Sequence, residues 1–196
     1  MKHLPENDQV TPAETTAILQ LAEQCLDTAG DYVELGCYRG DTSVLLGKLL
    51  QKSTKRLWIY DSFAGLPAKT PEDSSGAGAN FQAGELLVSK REVVDKLRRA
   101  NLKNIIVKKA WFSELEDADL PTQIAFAFCD GDLYDSIKTS LRLVVPRRAG
   151  QGIIIVHDYN NPELPGSARA VDEFLRAHSE FRLKVHYTLA ILTKKC

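Results

Sequence analysis

Residues 124–136 read IAFAFCDGDLYDS. The apolar run over 124–129 indicates a buried strand of a parallel sheet. It ends abruptly at Asp130, and a second acid, Asp132, follows one glycine later. One acid after a strand is common as a helix cap, whereas two acids that flank a glycine indicate a metal site, a general base, or both.

The segments on either side of this strand alternate between helix and strand patterns. Capping-box spacing at Thr11 and at Ser89 predicts helices that end near Asp27 and Ala100. The other predicted elements are strands over 32–35, 56–60, 105–109, 124–129 and 152–156, helices over 41–50, 134–145 and 167–177, and hairpin strands over 183–187 and 189–193. This order predicts an α/β fold, a Rossmann-like doubly wound sheet of seven strands, mostly parallel with an antiparallel C-terminal hairpin strand.

Length and composition indicate one globular domain. The 196 residues are 44% hydrophobic and 26% charged, which suits a single domain over 1–196. We expect residues 1–30 to form an N-terminal helical extension. Residues 62–84 are rich in glycine, alanine, serine and proline, and a loop of this length is typical of a mobile lid.

Charge and hydropathy narrow the range of partners. The net charge is −1 and no apolar run is long enough to span a bilayer, so we expect neither a nucleic-acid nor a membrane partner. The four cysteines are scattered, and the first residues lack the apolar core of a signal peptide. These features predict reduced thiols in a cytoplasmic protein.

The stretch ELGCYRGDTS, residues 34–43, has the pattern of a strand, a glycine turn and a helix N-terminus. Its spacing from Glu34 through Gly36 to Gly40 is E-x-G-x-x-x-G, which differs from the dinucleotide pattern G-x-G-x-x-G. The leading carboxylate repels phosphate but suits a cation or an amine. S-adenosylmethionine (SAM), with its sulfonium and amino groups, therefore fits better than a dinucleotide, and a plain turn into a helix is the alternative.

Asp61 ends the second predicted strand. In nucleoside-binding sheets of this type, an acid at that point accepts the ribose hydroxyls. The alternative is that Asp61 caps the following turn together with Ser62.

Two acidic clusters end neighbouring strands. Asp130 and Asp132 form the first, and His157 and Asp158 form the second. Because strand ends converge at one sheet edge, Asp130 and Asp158 can ligate a hard divalent cation, with His157 as a third ligand or as a base beside the site. Carboxylates this close would repel each other without a counter-ion. The alternative is that Asp132 and Asp135 cap the next helix and that Asp158 caps a loop.

Four stretches together resemble the macrocin O-methyltransferase family, the TylF-like enzymes. They are ELGCYRGDTS (34–43), YDSFAGLP (60–67), CDGDLYDS (129–136) and VHDYNN (156–161), and the resemblance extends over about residues 10–190. It implies a class I, SAM-dependent and metal-dependent O-methyltransferase that acts on a hydroxyl of a sugar or a small polyhydroxylated molecule. The resemblance implies cofactor-binding roles for Glu34, Gly36, Arg39, Thr42, Ser43, Asp61, Ser62, Trp111, Phe112 and Asp130.

The resemblance also implies the catalytic residues. Asp132 matches the general base of an in-line methyl transfer, Asp130 and Asp158 match metal ligands, and His157 is the predicted third ligand beside them. Family members carry two adjacent acids where this chain has His157 and Asp158. The two carboxylates favour magnesium, which prefers oxygen ligands, and magnesium is the expected metal. The His157 imidazole suits manganese better, so manganese is the alternative.

Two other functions are compatible with the same residues. One is a non-catalytic SAM-binding module, which the His157 departure favours. The other is an NAD-dependent oxidoreductase. Two features count against it, namely the glycine spacing and the expected lack of a Tyr-x-x-x-Lys pair. A homodimer is compatible with the predicted architecture.

Overall fold

The computed structural model describes residues 9–74 and 81–195. Helices and strands alternate along it and a hairpin closes the chain. The elements are α1 Pro12–Glu23, β1 Asp31–Leu35, α2 Asp41–Leu49, β2 Leu57–Asp61, α3 Lys90–Arg99, β3 Ile105–Lys109, β4 Ile124–Cys129, α4 Tyr134–Val144, β5 Arg148–Val156, α5 Pro165–Ala177, β6 Phe181–His186 and β7 Leu189–Lys194.

The strands form one seven-stranded sheet in the order β3-β2-β1-β4-β5-β7-β6. Strands β1 to β5 are parallel, and β7 pairs antiparallel with β5 and with β6. The predicted fold class is therefore confirmed. Strand order reverses between β1 and β4, which is where ligands of such sheets bind.

Strand β4 is buried on both faces, as its apolar sequence predicts. Phe126 and Phe128 belong to the core on one side of the sheet, with residues of α1, α2 and α3. Ala127 and Cys129 belong to the core on the other side, with residues of α4 and α5. The alternation follows from the period of two in a strand, and helices cover both faces.

Two predicted boundaries differ from the structure by more than two residues. Helix α1 ends at Glu23 instead of near Asp27, because the amides of Cys25 and Leu26 bond three residues back, which tightens the chain into turns. Strand β5 begins at Arg148 instead of Gly152, since its pairing with β4 includes a bulge. The guanidinium of Arg148 donates to the carbonyls of Gly150 and Gly152 across this bulge.

The first half of the 62–84 loop is packed onto the fold. Leu66 is buried, and Pro71–Asp73 form a short 3-10 turn. Arg169 of α5 donates to the Glu72 carbonyl at 2.5 Å. Closure of the loop as a lid stays a prediction, and Gly76 and Gly78 near its middle lie outside the described residues, as do residues 1–8 of the predicted extension.

Asp73 is the point at which this loop meets helix α4. Its side chain is 2% exposed, and Oδ1 accepts the Tyr134 amide at 2.7 Å. Oδ2 accepts the amide and the hydroxyl of Thr70, each at 2.9 Å. Leu133 occupies the N-cap position without a side-chain bond, so the alternative that Asp132 and Asp135 cap this helix is wrong. The cap comes from a distant loop.

We expect Asp73→Ala to lower the free energy of unfolding by about 2 kcal/mol, because it removes a helix cap and leaves a buried amide without an acceptor. Urea denaturation would measure this change. Glu72→Ala is the control, since the helix-side contact of Glu72 is made by its backbone carbonyl. An equal loss of stability in both variants would contradict the capping role of Asp73.

Among the residues that the structure describes, no helix has the length and apolar character needed to cross a bilayer.

Candidate active site

A cavity opens at the carboxyl ends of the central strands, at the point where strand order reverses. It brings together eight of the residues predicted for the site, which are Gly36, Asp61, Ser62, Trp111, Phe112, Asp130, Asp132 and His157. Its other walls include residues that were not predicted, among them Gln9, Tyr38, Leu66, Pro67, Leu86 and Ser136. One wall is therefore acidic, and aromatic and aliphatic groups surround it.

The glycine turn after β1 is packed directly against the end of β4. Gly36 has φ +90°, and a Cβ atom there would lie 1.9 Å from the carbonyl oxygen of Asp130. Only glycine allows this approach. The turn is held from the other side by Asp61, whose Oδ2 accepts the amides of Cys37 and Tyr38 at 2.9 and 3.3 Å.

Asp61 also organises the turn that follows β2. Its Oδ1 accepts the Phe63 amide at 2.7 Å, and the Ser62 hydroxyl accepts the Ala64 amide at 3.0 Å. The turn-capping alternative for Asp61 is therefore confirmed. A ribose role stays compatible with it, because each carboxylate oxygen has two lone pairs and both residues line the cavity.

Glu34 lies behind the glycine turn and is fully buried. The Ser43 hydroxyl donates to its Oε2 at 2.5 Å, whereas Oε1 has no partner among the described residues. Burial raises the pKa of Glu34 to about 8, although the Ser43 bond opposes the shift. A buried oxygen without a donor is what a bound ammonium group would satisfy. Glu34 does not line the cavity, so the amino end of SAM would have to enter behind the glycine turn to reach it.

Besides Glu34, three predicted cofactor residues lie outside the cavity wall. Arg39 is exposed, and its guanidinium lies 5.1 Å from the ring centre of Tyr38. Thr42 and Ser43 are buried in the first turn of α2. Ser43 acts on the site only through Glu34, and no described contact connects Arg39 or Thr42 to the acidic wall.

Asp132 stands in the cavity on a left-handed backbone, with φ 59°. Asp158 has a similar φ of 60°. Such backbone is uncommon outside glycine and costs on the order of 1 kcal/mol, and it clusters at functional sites. Burial raises the pKa of Asp132 well above its ordinary value, and the nearby carboxylates of Asp130 and Asp158 raise it further.

His157 lies between two of the acids. Its Nδ1 is 2.9 Å from Oδ1 of Asp130 and 3.0 Å from Oδ2 of Asp158, and its side chain is 4% exposed. Burial alone would lower the pKa of His157, but the surrounding carboxylates outweigh it and raise that pKa well above its ordinary value. The structure therefore brings together all three predicted metal ligands.

The chemistry of this donor set fits a divalent cation. One atom each from Asp130, His157 and Asp158 lie within 4.8 Å of one another. Two carboxylates and one imidazole suit manganese, iron or zinc as well as magnesium, and the crowded negative charge favours a cation.

Glu14 is a fourth acid in this region, and sequence analysis assigned it only a capping role. Its carboxylate is buried, and Oε2 lies 3.9 Å from Nε2 of His157. Burial raises the pKa of Glu14, but the nearby His157 imidazole and the hydrogen bonds from Thr188 and Thr11 outweigh this and hold that pKa well below its usual range. The signal in the sequence was the capping box itself, which places a glutamate at the start of α1 but does not say what that glutamate faces.

Tyr134 and Lys138 do have the Tyr-x-x-x-Lys spacing, so the expectation that such a pair is lacking was wrong. Lys138 donates to the Tyr134 hydroxyl at 2.8 Å, and that hydroxyl donates to Glu173 at 2.6 Å. The pair points toward α5, and neither member lines the cavity that holds Asp132. Its position therefore does not support a dehydrogenase site at the sheet edge.

Comparison with known proteins finds similarity to O-methyltransferases. A family model for macrocin-O-methyltransferase (TylF) matches residues 16–184. Demethyldecarbamoylnovobiocin O-methyltransferase of Streptomyces niveus is 30% identical over 171 residues, which cover 80% of this chain and 64% of that protein. A tetracenomycin-C rhamnosyl 4'-O-methyltransferase of Streptomyces olivaceus is 28% identical over 152 residues, covering 70% of this chain and 58% of that protein. The chain thus spans about three-fifths of the length of these relatives.

The fold comparison agrees with the sequence comparison. The structure of the O-methyltransferase NovP superposes with a TM-score of 0.82 at 25% identity, over 95% of this chain and 81% of that chain. The family model covers most of the chain, including Asp130, Asp132, His157 and Asp158, and begins after Glu14. The chain belongs to the macrocin-O-methyltransferase (TylF) family.

Proposed function

We propose that this protein is a SAM-dependent O-methyltransferase that acts on a hydroxyl of a sugar or a similar small polyhydroxylated molecule. The observation that carries the proposal is the shared cavity, which is lined by Asp130, Asp132 and His157 together with Gly36 and Asp61 of the glycine turn and the turn after β2. The relatives are named for O-methylation of novobiocin and tetracenomycin precursors, which supports the same class of acceptor.

Asp61, Ser62, Trp111 and Phe112 would bind the nucleoside part of SAM. Oδ1 of Asp61, which accepts one amide, has a lone pair left for a ribose hydroxyl, and the two aromatic rings form an apolar wall for adenine. Glu34 would take the amino group through its unsatisfied Oε1. SAM supplies an activated methyl group on a cationic sulfonium, and the acidic wall favours that charge over the phosphates of a dinucleotide.

Asp132 would act as the general base. A free aspartate is a weak base near pKa ~4, but burial and neighbouring acids raise the pKa of Asp132 and so suit it to accept a proton near neutrality. The proton would pass from the acceptor hydroxyl to the Asp132 carboxylate as the oxygen attacks the methyl carbon in line.

Asp130, His157 and Asp158 would hold a divalent cation, magnesium or manganese. A cation bound there would orient the acceptor oxygens and ease loss of the hydroxyl proton. The three side chains themselves position negative charge beside Asp132, and the backbone of Asp130 supports the glycine turn. Closure of the 62–84 loop over the cavity, a homodimer and a cytoplasmic location stay predictions.

Calorimetric titration with S-adenosylhomocysteine (SAH), before and after EDTA treatment, tests this function. We expect micromolar SAH binding, and methyl transfer to glycosides with vicinal hydroxyls that falls on EDTA treatment and returns with magnesium or manganese. SAH binding without transfer to any glycoside, catechol or polyol would favour the non-catalytic module. Binding of NAD in place of SAH would overturn the methyltransferase proposal.

A further inference from the structure

Glu14 is held by more contacts than helix capping requires. Its Oε2 accepts the amide and hydroxyl of Thr11 at 3.0 and 2.7 Å, which completes the capping box of α1. Its Oε1 accepts the hydroxyl and amide of Thr188, in the turn between β6 and β7, at 2.5 and 3.3 Å. The Glu14 carboxylate is thereby held both by Thr11 of its own capping box and by Thr188 of the last hairpin.

A second capping box in the same protein shows what capping alone looks like. Ser89 and Glu92 make the same reciprocal bonds at the start of α3, and Glu92 remains exposed. Glu14, in contrast, is 3% exposed. Since burying a carboxylate is costly unless it is paired, the burial of Glu14 indicates a role beyond the cap.

The group that Glu14 faces is the imidazole of His157. The ring has two different sides, because Nδ1 faces Asp130 and Asp158 while Nε2 faces Glu14 at 3.9 Å. Nδ1 can ligate a cation only without its proton, and the neutral ring must then carry its proton on Nε2. The Glu14 carboxylate is too far from Nε2 for a hydrogen bond, so it acts through its negative charge, which favours the proton on the Nε2 side of the ring.

We propose that Glu14 is the positioning residue of the cation site, orienting the His157 ring so that Nδ1 faces the cation together with Asp130 and Asp158. This inference rests on the cation site of the proposed function. Glu14 itself contacts neither cofactor nor acceptor. The N-terminal helix, which carries no predicted catalytic residue, is by this inference part of the functional site.

Titration with Mn²⁺ in the presence of saturating SAH tests the proposal. Glu14→Gln retains the side-chain length and one oxygen that can accept from Thr11, but it removes the charge and places an amide donor where Oε1 accepts from Thr188. We expect it to weaken Mn²⁺ binding about 10–100-fold, with the SAH dissociation constant changed less than about threefold. Glu92→Gln is the matched control and is expected to change neither affinity.

Thr188→Val is a second test that leaves Glu14 in place. It removes the hydroxyl that holds Oε1, and we expect a several-fold weaker Mn²⁺ affinity in a protein whose SAH binding is unchanged. Wild-type Mn²⁺ affinity in both Glu14→Gln and Thr188→Val would overturn the proposal and leave Glu14 as a cap and hairpin tie.

The Mn²⁺ and SAH titrations distinguish failure of the Glu14 role from failure of the methyltransferase function. A wild-type protein that binds SAH but not Mn²⁺ would overturn both the cation site and the role of Glu14, while leaving methyl transfer to be tested directly. A wild-type protein that binds Mn²⁺ and loses it only in the Glu14 variant would support the positioning role whatever the acceptor proves to be.

Discussion

Replacing Asp132 by asparagine is expected to lower kcat about 10²–10⁴-fold, the range typical for loss of a general base. Asparagine adopts left-handed backbone as readily as aspartate, so the φ of 59° at this position need not change. The amide also relieves repulsion from Asp130 and Asp158. Affinity for SAH should therefore stay within about threefold of the wild type, and thermal stability should not fall.

Asp135→Asn is the matched control for this variant. Asp135 lies three residues further on, in the first turn of α4, and its side chain is exposed. We expect wild-type turnover from it. Steady-state kinetics with a glycoside acceptor would measure both variants. Comparable activity of Asp132→Asn and the wild type would exclude Asp132 as the base and leave His157 as the candidate base.

Gly36→Ala should have the largest effect on folding and cofactor binding. A methyl group there would stand 1.9 Å from the Asp130 carbonyl oxygen, and the φ of +90° is itself strained for alanine. Backbone on both sides would have to move, so we expect a loss of more than about 4 kcal/mol in the free energy of unfolding. Binding of SAH should be lost, because the glycine turn and Asp130 form adjacent walls of the cavity.

Gly84→Ala is the control that distinguishes backbone strain from steric conflict in the Gly36→Ala variant. Its φ of +86° is nearly the same as that of Gly36, but a Cβ atom there would meet nothing within 4 Å. Gly84→Ala should therefore cost only about 1–2 kcal/mol. Urea denaturation of both variants gives the comparison. Similar costs would mean that backbone conformation, and not the contact with Asp130, dictates glycine at position 36.

The sequence predicts the bounds of a strand correctly where apolar residues give way to polar ones at its ends. The sequence predicts β3 and β4 with the bounds that the structure has. In β4 the apolar run is bounded by Gln123 and Asp130, so hydrophobicity alone marks its ends. The start of β5 was missed because Ala149 to Gly152 form a bulge, and its stabilisation by the Arg148 side chain depends on three-dimensional contacts.

The site was predictable to the extent that it follows strand ends. Asp61, Asp130 and His157 each come directly after a strand or at its last residue, so topology alone brings them together. Glu14 and Asp73 could not be assigned in this way, because each acts on a residue far along the chain, at Thr188 and Tyr134 respectively. Their local sequences indicate only helix starts.

The bond between Glu14 and Thr188 joins positions 174 residues apart. During synthesis the first helix leaves the ribosome long before the β6–β7 hairpin exists, so this contact cannot form until residue 188 has been made. Contacts of such high sequence separation slow folding and form late. The order of synthesis thus places the tie between the first helix and the last hairpin among the late contacts, and loss of Thr188 should weaken the cation site without removing its ligands.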